Sequence, residues 1–259
     1  MDSLTSLLNR VDIFLVVMAR VSGVLLVAPV FSSRNLPAQV KAGLIVLISI
    51  IVFMAKHPQM ATVPTSIIPF VLLLISELVI GLIIGFASYL IFSVIYIAGQ
   101  EIDMHIGFAM VNVVDPLSGI SVPLVGTFKY MIAILVYLTT NSYNYLFAAL
   151  FHSYDVIPLL GFQPNKAIST YLIGMFGNVL ALSVKLAVPI VGALLVAEVA
   201  LGIIARTVPQ MNVFLVGIPA KIVIGIILLV LILPFYMFFL DMLFETNYSD
   251  LLKLIKLAH

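Results

Sequence analysis

Six long apolar runs set the pattern of this chain, at about 11–31, 40–55, 67–98, 122–151, 170–204 and 213–240. Isolated polar residues interrupt them, and the segments between collect Pro, Gly, Asn and charge. Runs of this kind predict membrane helices, since a bilayer span takes roughly 20 residues, or about 30 Å. The lengths do not match one bilayer thickness. The second run is short, opened by Lys41 and closed by Lys56-His57-Pro58. The third, Ile67 to Ala98, would reach roughly 48 Å as a single helix at about 1.5 Å per residue. Tilt absorbs only part of such a mismatch. Some of these helices are therefore expected to lie inside protein or to protrude. The fold class predicted is all-α and polytopic: one membrane domain over 1–259, with long and broken helices packed as hairpins.

Pro189, Pro219 and Pro234 fall inside the late runs and free backbone carbonyls that need new partners. Past the last run, the tail from Asp241 to Lys256 is amphipathic. Phe244, Tyr248, Leu251, Leu252 and Ile255 make a helical stripe, with Asp250, Lys253 and Lys256 opposite. It is expected to lie on a membrane surface or to dock on a partner.

Composition sharpens the class. Of 259 residues, 63% are hydrophobic and 9% charged, against near half and a quarter in soluble domains. Net charge is +1, so no basic surface invites nucleic acid. There is no cysteine, which excludes disulfides and thiolate metal sites, and no tryptophan, which leaves the interfacial belt to ten tyrosines. The start, Met1-Asp2-Ser3-Leu4, lacks a basic n-region and is expected to be the mature N-terminus.

Charges inside apolar runs are the candidate chemistry. Arg20, Glu77, Lys129, Lys185, Glu198 and Lys221 sit within or at the edge of them. Lys129 and Lys221 can snorkel on long stems. Glu77 and Glu198 cannot, so each is expected to face a partner helix or a polar lumen. Glu77, Gly81, Gly85 and Ser88 share one face within about 80°, and Gly81-x-x-x-Gly85 lets another helix approach closely. Glu198, Gly202 and Arg206 repeat that geometry. Eight residues separate Glu198 from Arg206, too far for an i,i+4 pair, so Glu198 is expected to meet Lys185 or Lys221. The polar island Arg206-Thr207-Val208-Pro209-Gln210-Met211-Asn212 reads either as a joint to other protein or as a solvated turn.

Between the third and fourth runs, Glu101, Asp103 and His105 alternate with Ile102 and Met104, so an extended segment would put them on one side. A metal site there is conceivable, but nothing else supplies ligands at fixed spacing. Residues 107–121 read as a loop that is unusually apolar, with Phe108, Met110, Val111, Val113 and Val114. No phosphate-binding Gly-rich loop, zinc helix or nucleophile elbow is present, which weighs against an ATPase, a metalloprotease or an intramembrane hydrolase. A secondary transporter built on broken helices and an intramembrane Glu/Lys site is the alternative from another class.

The chain resembles the FliR family of the type III export gate, with its injectisome relatives. The marks begin with Arg20, Ala28-Pro29-Val30-Phe31, Leu36-Pro37 and Lys41. Glu77-x-x-x-Gly81-x-x-x-Gly85-Phe86, Gly99-Gln100-x-Ile102-Asp103, Gly107 and Val114-Asp115-Pro116 follow. Ser153 with Pro158, Lys185-x-x-x-Pro189, Arg206-x-x-Pro209-Gln210-x-Asn212-x-Phe214 and Gly217-x-Pro219 complete them. Departures are Asn141-Ser142-Tyr143, where the family often shows Asn-Gly-His, and His105, where it usually has a Gln-like residue. The resemblance implies a non-enzymatic subunit of a hetero-oligomeric gate in the bacterial inner membrane, at the flagellar basal body, without catalytic residues, cofactor or metal. Expected partners are FliP-like and FliQ-like subunits, FlhA- and FlhB-like components, a separate ATPase, and unfolded substrates in transit. It implies a plug over the closed pore at Gly107, Phe108, Met110, Asn112, Asp115 and Pro116. Helix or intersubunit packing is expected at Glu77, Gly81, Gly85, Lys185, Glu198, Gly202, Arg206, Pro209, Gln210 and Asn212.

Overall fold

The structure is a computed structural model that describes residues 2–33, 36–56, 64, 66–108, 123–159, 161–162, 165–208 and 212–258, with side chains from residue 11 onward other than 213 and 214. Seven helices and no strand occur among the described residues: α1 (Asp2–Val27), α2 (Ala38–Lys56), α3 (Ile67–Ile106), α4 (Leu124–Thr139), α5 (Tyr143–Val156), α6 (Lys166–Thr207) and α7 (Val213–Leu257). The fold is all-α and polytopic. Four helices are long and apolar enough to cross a membrane, or five if α4 and α5 count as one broken span.

Three of the helices are much longer than a bilayer needs. α3, α6 and α7 run for 40, 42 and 45 residues. At about 1.5 Å per residue each reaches roughly 60 Å or more, about twice a hydrocarbon core. The late prolines do not end helices here: Pro189 lies inside α6, and Pro219 and Pro234 inside α7. A proline removes one backbone bond, whereas stopping the helix in an apolar setting would strand several more. The fourth run does break. Thr140, Asn141 and Ser142 separate α4 from α5, and Asn141 takes φ +56°, a left-handed value that Asn tolerates.

The chain forms two compact units: residues 1–91, 141–175 and 244–259 make the first, and 92–140 with 176–243 the second. In the first unit, α1 packs on α2, and Val16, Val17, Val21 and Val24 of α1 are fully buried. After α1 the chain turns through Val30 at φ +70°, and Lys41 donates to the Ser32 carbonyl across that turn (3.1 Å).

The tail corrects an expectation. Residues 244–257 continue α7 without a break and sit against the chain's own first unit. Phe244, Leu251, Leu254 and Ile255 are buried. Asn247 donates to the Ala87 carbonyl, Tyr171 to Asp250, and Tyr145 stacks on Tyr248. The amphipathic stripe is covered by intrachain surface, so neither a membrane face nor a partner is needed to explain it.

Candidate functional site

Arg20 organises the first unit. It comes from the C-terminal half of α1, and its side chain is fully buried. Its Nε donates to Glu77 of α3 at 2.6 Å. Its Nη1 donates to the carbonyl and hydroxyl of Ser153, and its Nη2 to the Ile157 carbonyl at 3.1 Å. Those carbonyls belong to the last turn and cap of α5, where a cation complements the negative end of the helix dipole; the Ser153 carbonyl also accepts from the Ile157 N–H. The Arg20 guanidinium also lies 4.2 Å from the centre of the Tyr154 ring, and Tyr154 donates to the Val17 carbonyl. Arg20, Glu77 and Ser153, distant marks in the sequence, thus meet at one point.

The small-residue stripe explains how α3 reaches Arg20. A Cβ added at Gly81 would fall on the Arg20 carbonyl oxygen, and one at Gly23 of α1 would fall on Leu78 and Gly81. At Gly85 it would come within 2.7 Å of the Val24 carbonyl oxygen. α1 and α3 are in backbone contact, so a side chain at any of the three glycines meets main chain that cannot swing away. Glu77, Gly81 and Gly85 are therefore placed in an intrachain helix contact.

In the second unit, the expected extended segment at 99–107 is helix as far as Ile106. Ile102 and Ile106 are fully buried one turn apart, and that 3.6-residue period outweighs the period-two reading. Glu101 and Asp103 consequently point apart, Glu101 outward and Asp103 inward. No cluster of three metal-ligating His, Asp or Glu residues occurs among the described residues.

Asp103 has a role that its sequence context concealed. It is 4% exposed. Its carboxylate accepts from the backbone N–H of Val125 (2.9 and 3.1 Å) and of Gly126 (3.2 Å). These are orphan donors of the first turn of α4, whose N-cap is Pro123 and makes no side-chain cap bond. Gly99 and Gly126 lie in backbone contact, which lets α3 and α4 come this close. The Asp103 carbonyl in turn accepts from Gly107 and Phe108, and Gly107 turns at φ +102° to end α3. The signal available in the sequence was Pro123 itself, a helix start that cannot cap its own N–H groups.

Two further charges of this unit are paired. Lys129 is buried, with Nζ 4.6 Å from the centre of the Tyr236 ring, and Tyr236 donates to the Lys129 carbonyl. Lys129 does not snorkel. Glu198 meets Lys221 of α7 at 2.7 Å, the second of its two candidate partners. Lys185, Gly202, Arg206 and Asn212 are exposed, and no hydrogen bond or ion pair joins Lys185 or Arg206 to another group among the described residues. Gly107 and Phe108 are buried and half-buried at the end of α3. Met110, Asn112, Asp115, Pro116, Pro209 and Gln210 lie outside the described residues.

Membrane-length helices tied by buried charges define a polytopic membrane protein. The chain belongs to the FliR family: the model for bacterial export proteins, family 1, matches residues 11–247. It is 32% identical to the flagellar biosynthetic protein FliR of Bacillus subtilis strain 168 over 231 residues, 88% of each chain. It is 27% identical to FliR of Escherichia coli K12, covering 96% of this chain and 94% of that one. The Yop proteins translocation protein T of Yersinia pestis is 29% identical over 68% of this chain and 69% of that one. The protein is thus a membrane component of flagellar type III export.

Proposed function

We propose that this chain is a non-enzymatic subunit of the export gate, assembled with FliP-like and FliQ-like chains in the bacterial inner membrane at the flagellar basal body. FlhA- and FlhB-like components would work beside it, and unfolded substrates would pass through the assembly. One observation carries the reading. The outer surface of α6 and α7 is apolar over far more length than a bilayer covers, and it holds the exposed Arg206 and the Glu198–Lys221 pair. Val196, Val199, Ile203, Leu215 and Val230 are all more than half exposed around and beyond these charges. Lipid suits the valines and isoleucines but not an arginine, and water suits the arginine but not its neighbours. Partner helices carrying both apolar and acidic groups suit both.

In this reading Arg206, Pro209, Gln210 and Asn212 form a joint between subunits, with Lys185 and Gly202 on the same helix, and the loop after Gly107 seals the closed pore. The transporter alternative needs intramembrane carboxylates open to a substrate path. Glu77 is closed in by Arg20, which argues against that use. The test is purification of the chain alone and with co-expressed FliP- and FliQ-like chains. A gate subunit is recovered well only in the complex, whereas a transporter is monodisperse and stable without them.

A further inference from the structure

We propose that the cavity between α1, α2 and α3 holds one acyl chain of an anionic glycerophospholipid, with the lipid phosphate at Lys41. The inference goes beyond the export reading and does not depend on it. The cavity measures about 350 Å³, and Leu15, Ala19, Ile45, Val71 and Leu78 are among its walls. Its one polar side chain, Ser22, donates to the Ala19 carbonyl, so no polar side chain there seeks a partner. Water is poorly held in such a space, and an empty one forfeits the contacts of its walls. At the rim, Val71 and Ile75 of α3 are exposed. Both α2 and α3 are long and apolar enough to cross a membrane, where acyl chains are the surrounding solvent.

A helix of another subunit fits the space poorly. One turn, 5.4 Å of a cylinder about 10 Å across, takes roughly 420 Å³. Close helix approach also favours small residues. The glycines of this region, Gly23, Gly81 and Gly85, already face backbone in the contact of α1 with α3. A thin, flexible, wholly apolar chain meets both limits.

The ends of the cavity differ in charge, and that sets the direction of the lipid. α1 and α3 run the same way, since Gly23 meets Leu78 and Gly85 meets Val24. α2 runs back along α1, and Phe14 meets Phe53 edge to face. Eight residues on from Phe14 is Ser22, and eight back from Phe53 is Ile45, so these two lie level. Ser22, Ile45 and Leu78 therefore mark one end and Leu15 with Val71 the other, about 10 Å away along α1. Lys41 lies one turn beyond Ile45 on the same face of α2. Its ammonium gives one N–H to the Ser32 carbonyl, and no carboxylate is bonded to it among the described residues. Two donors remain for a phosphate. Asp12, one turn before Leu15, stands at the opposite end and repels the same group. An anionic headgroup thus fits at the Lys41 end with its chain descending toward Leu15.

The probes are phosphatidylglycerol and phosphatidylcholine, each with a photoactivatable diazirine on one acyl chain. They are used in nanodiscs holding the full chain as it is recovered, alone or with FliP- and FliQ-like chains. Adducts are mapped at Ala19 and Ile75 for the cavity and at Leu47, exposed on α2, for ordinary lipid contact. The proposal expects adducts at both places, several-fold more with phosphatidylglycerol in the cavity and equal with the two lipids at Leu47. Ala19→Leu should lower the cavity adducts several-fold, and Val71→Phe does the same from another wall if the first variant does not fold. Lys41→Gln should remove the preference for phosphatidylglycerol, and Asp12→Asn should leave it. Adducts at Leu47 with none in the cavity would overturn the proposal, and so would none at either place, which would mean that protein covers this face. Equal labelling by the two lipids in the wild type, or a preference that survives Lys41→Gln, would overturn it as well.

Discussion

Arg20 Nε lies 2.6 Å from the Glu77 carboxylate, and neither side chain reaches solvent. Such a pair is worth less in net stability than the cost of separating it, because either partner alone is a desolvated charge. Glu77→Ala leaves the guanidinium with Ser153, Ile157 and the Tyr154 ring but no carboxylate, and should cost about 3–5 kcal/mol. Arg20→Ala should be at least as severe, since it also uncovers the α5 carbonyls. The double variant Arg20→Met/Glu77→Leu should regain a large part of the loss. Thermal unfolding of the purified complex in detergent checks the order, and additive losses in the double variant would contradict it.

The glycines divide into two kinds. Gly81 and Gly85 face backbone, while Gly202 faces open space in this chain. Gly85→Leu should abolish accumulation of the folded chain, and Gly81→Ala should already lower it. Gly202→Ala should leave the isolated chain unharmed, or firmer by up to about 1 kcal/mol from helix propensity. Gly202→Leu should leave folding alone yet reduce recovery with FliP- and FliQ-like partners. Detergent-extracted protein levels and complex recovery, measured on the same samples, separate the two effects.

The tail predicts a different pattern of damage from that of a membrane-surface helix. Leu251 and Ile255 are buried against the first unit, whereas Lys253 and Lys256 are exposed. Leu251→Ala should cost about 2–5 kcal/mol, as in other cores. Lys253→Glu and Lys256→Glu should change stability by no more than about 0.5 kcal/mol. Thermal midpoints decide this. A larger effect from the lysine reversals than from Leu251→Ala would restore the membrane-surface reading.

The helices and their apolar lengths were legible because period and length are local properties. So was the Glu77–Gly81–Gly85 stripe, which marks close packing whatever the partner. The partner was not legible: Arg20 lies 57 residues from Glu77, and no local rule joins them. The stretch around Asp103 was misread for a related reason. Alternating acid and apolar residues suggest an extended segment, but Ile102, Asp103 and Ile106 were serving a helix whose buried face includes a cap for another helix. The amphipathic tail showed its stripe plainly, and only the tertiary fold could show that α3 and α5 cover it.

The central claim is that the polar end of α6 is a joint to other subunits. Arg206 is exposed among apolar neighbours, and as an intersubunit group it would meet carboxylates or helix C-terminal carbonyls of its partners. The most direct measurement is recovery of the Arg206→Ala variant with its FliP- and FliQ-like partners, scored beside motility. The account predicts that the variant accumulates in the membrane but fails to co-purify, with motility lost. Normal recovery with altered ion conductance would make Arg206 a pore-lining group. Normal recovery together with normal motility would contradict the joint and leave a solvated turn.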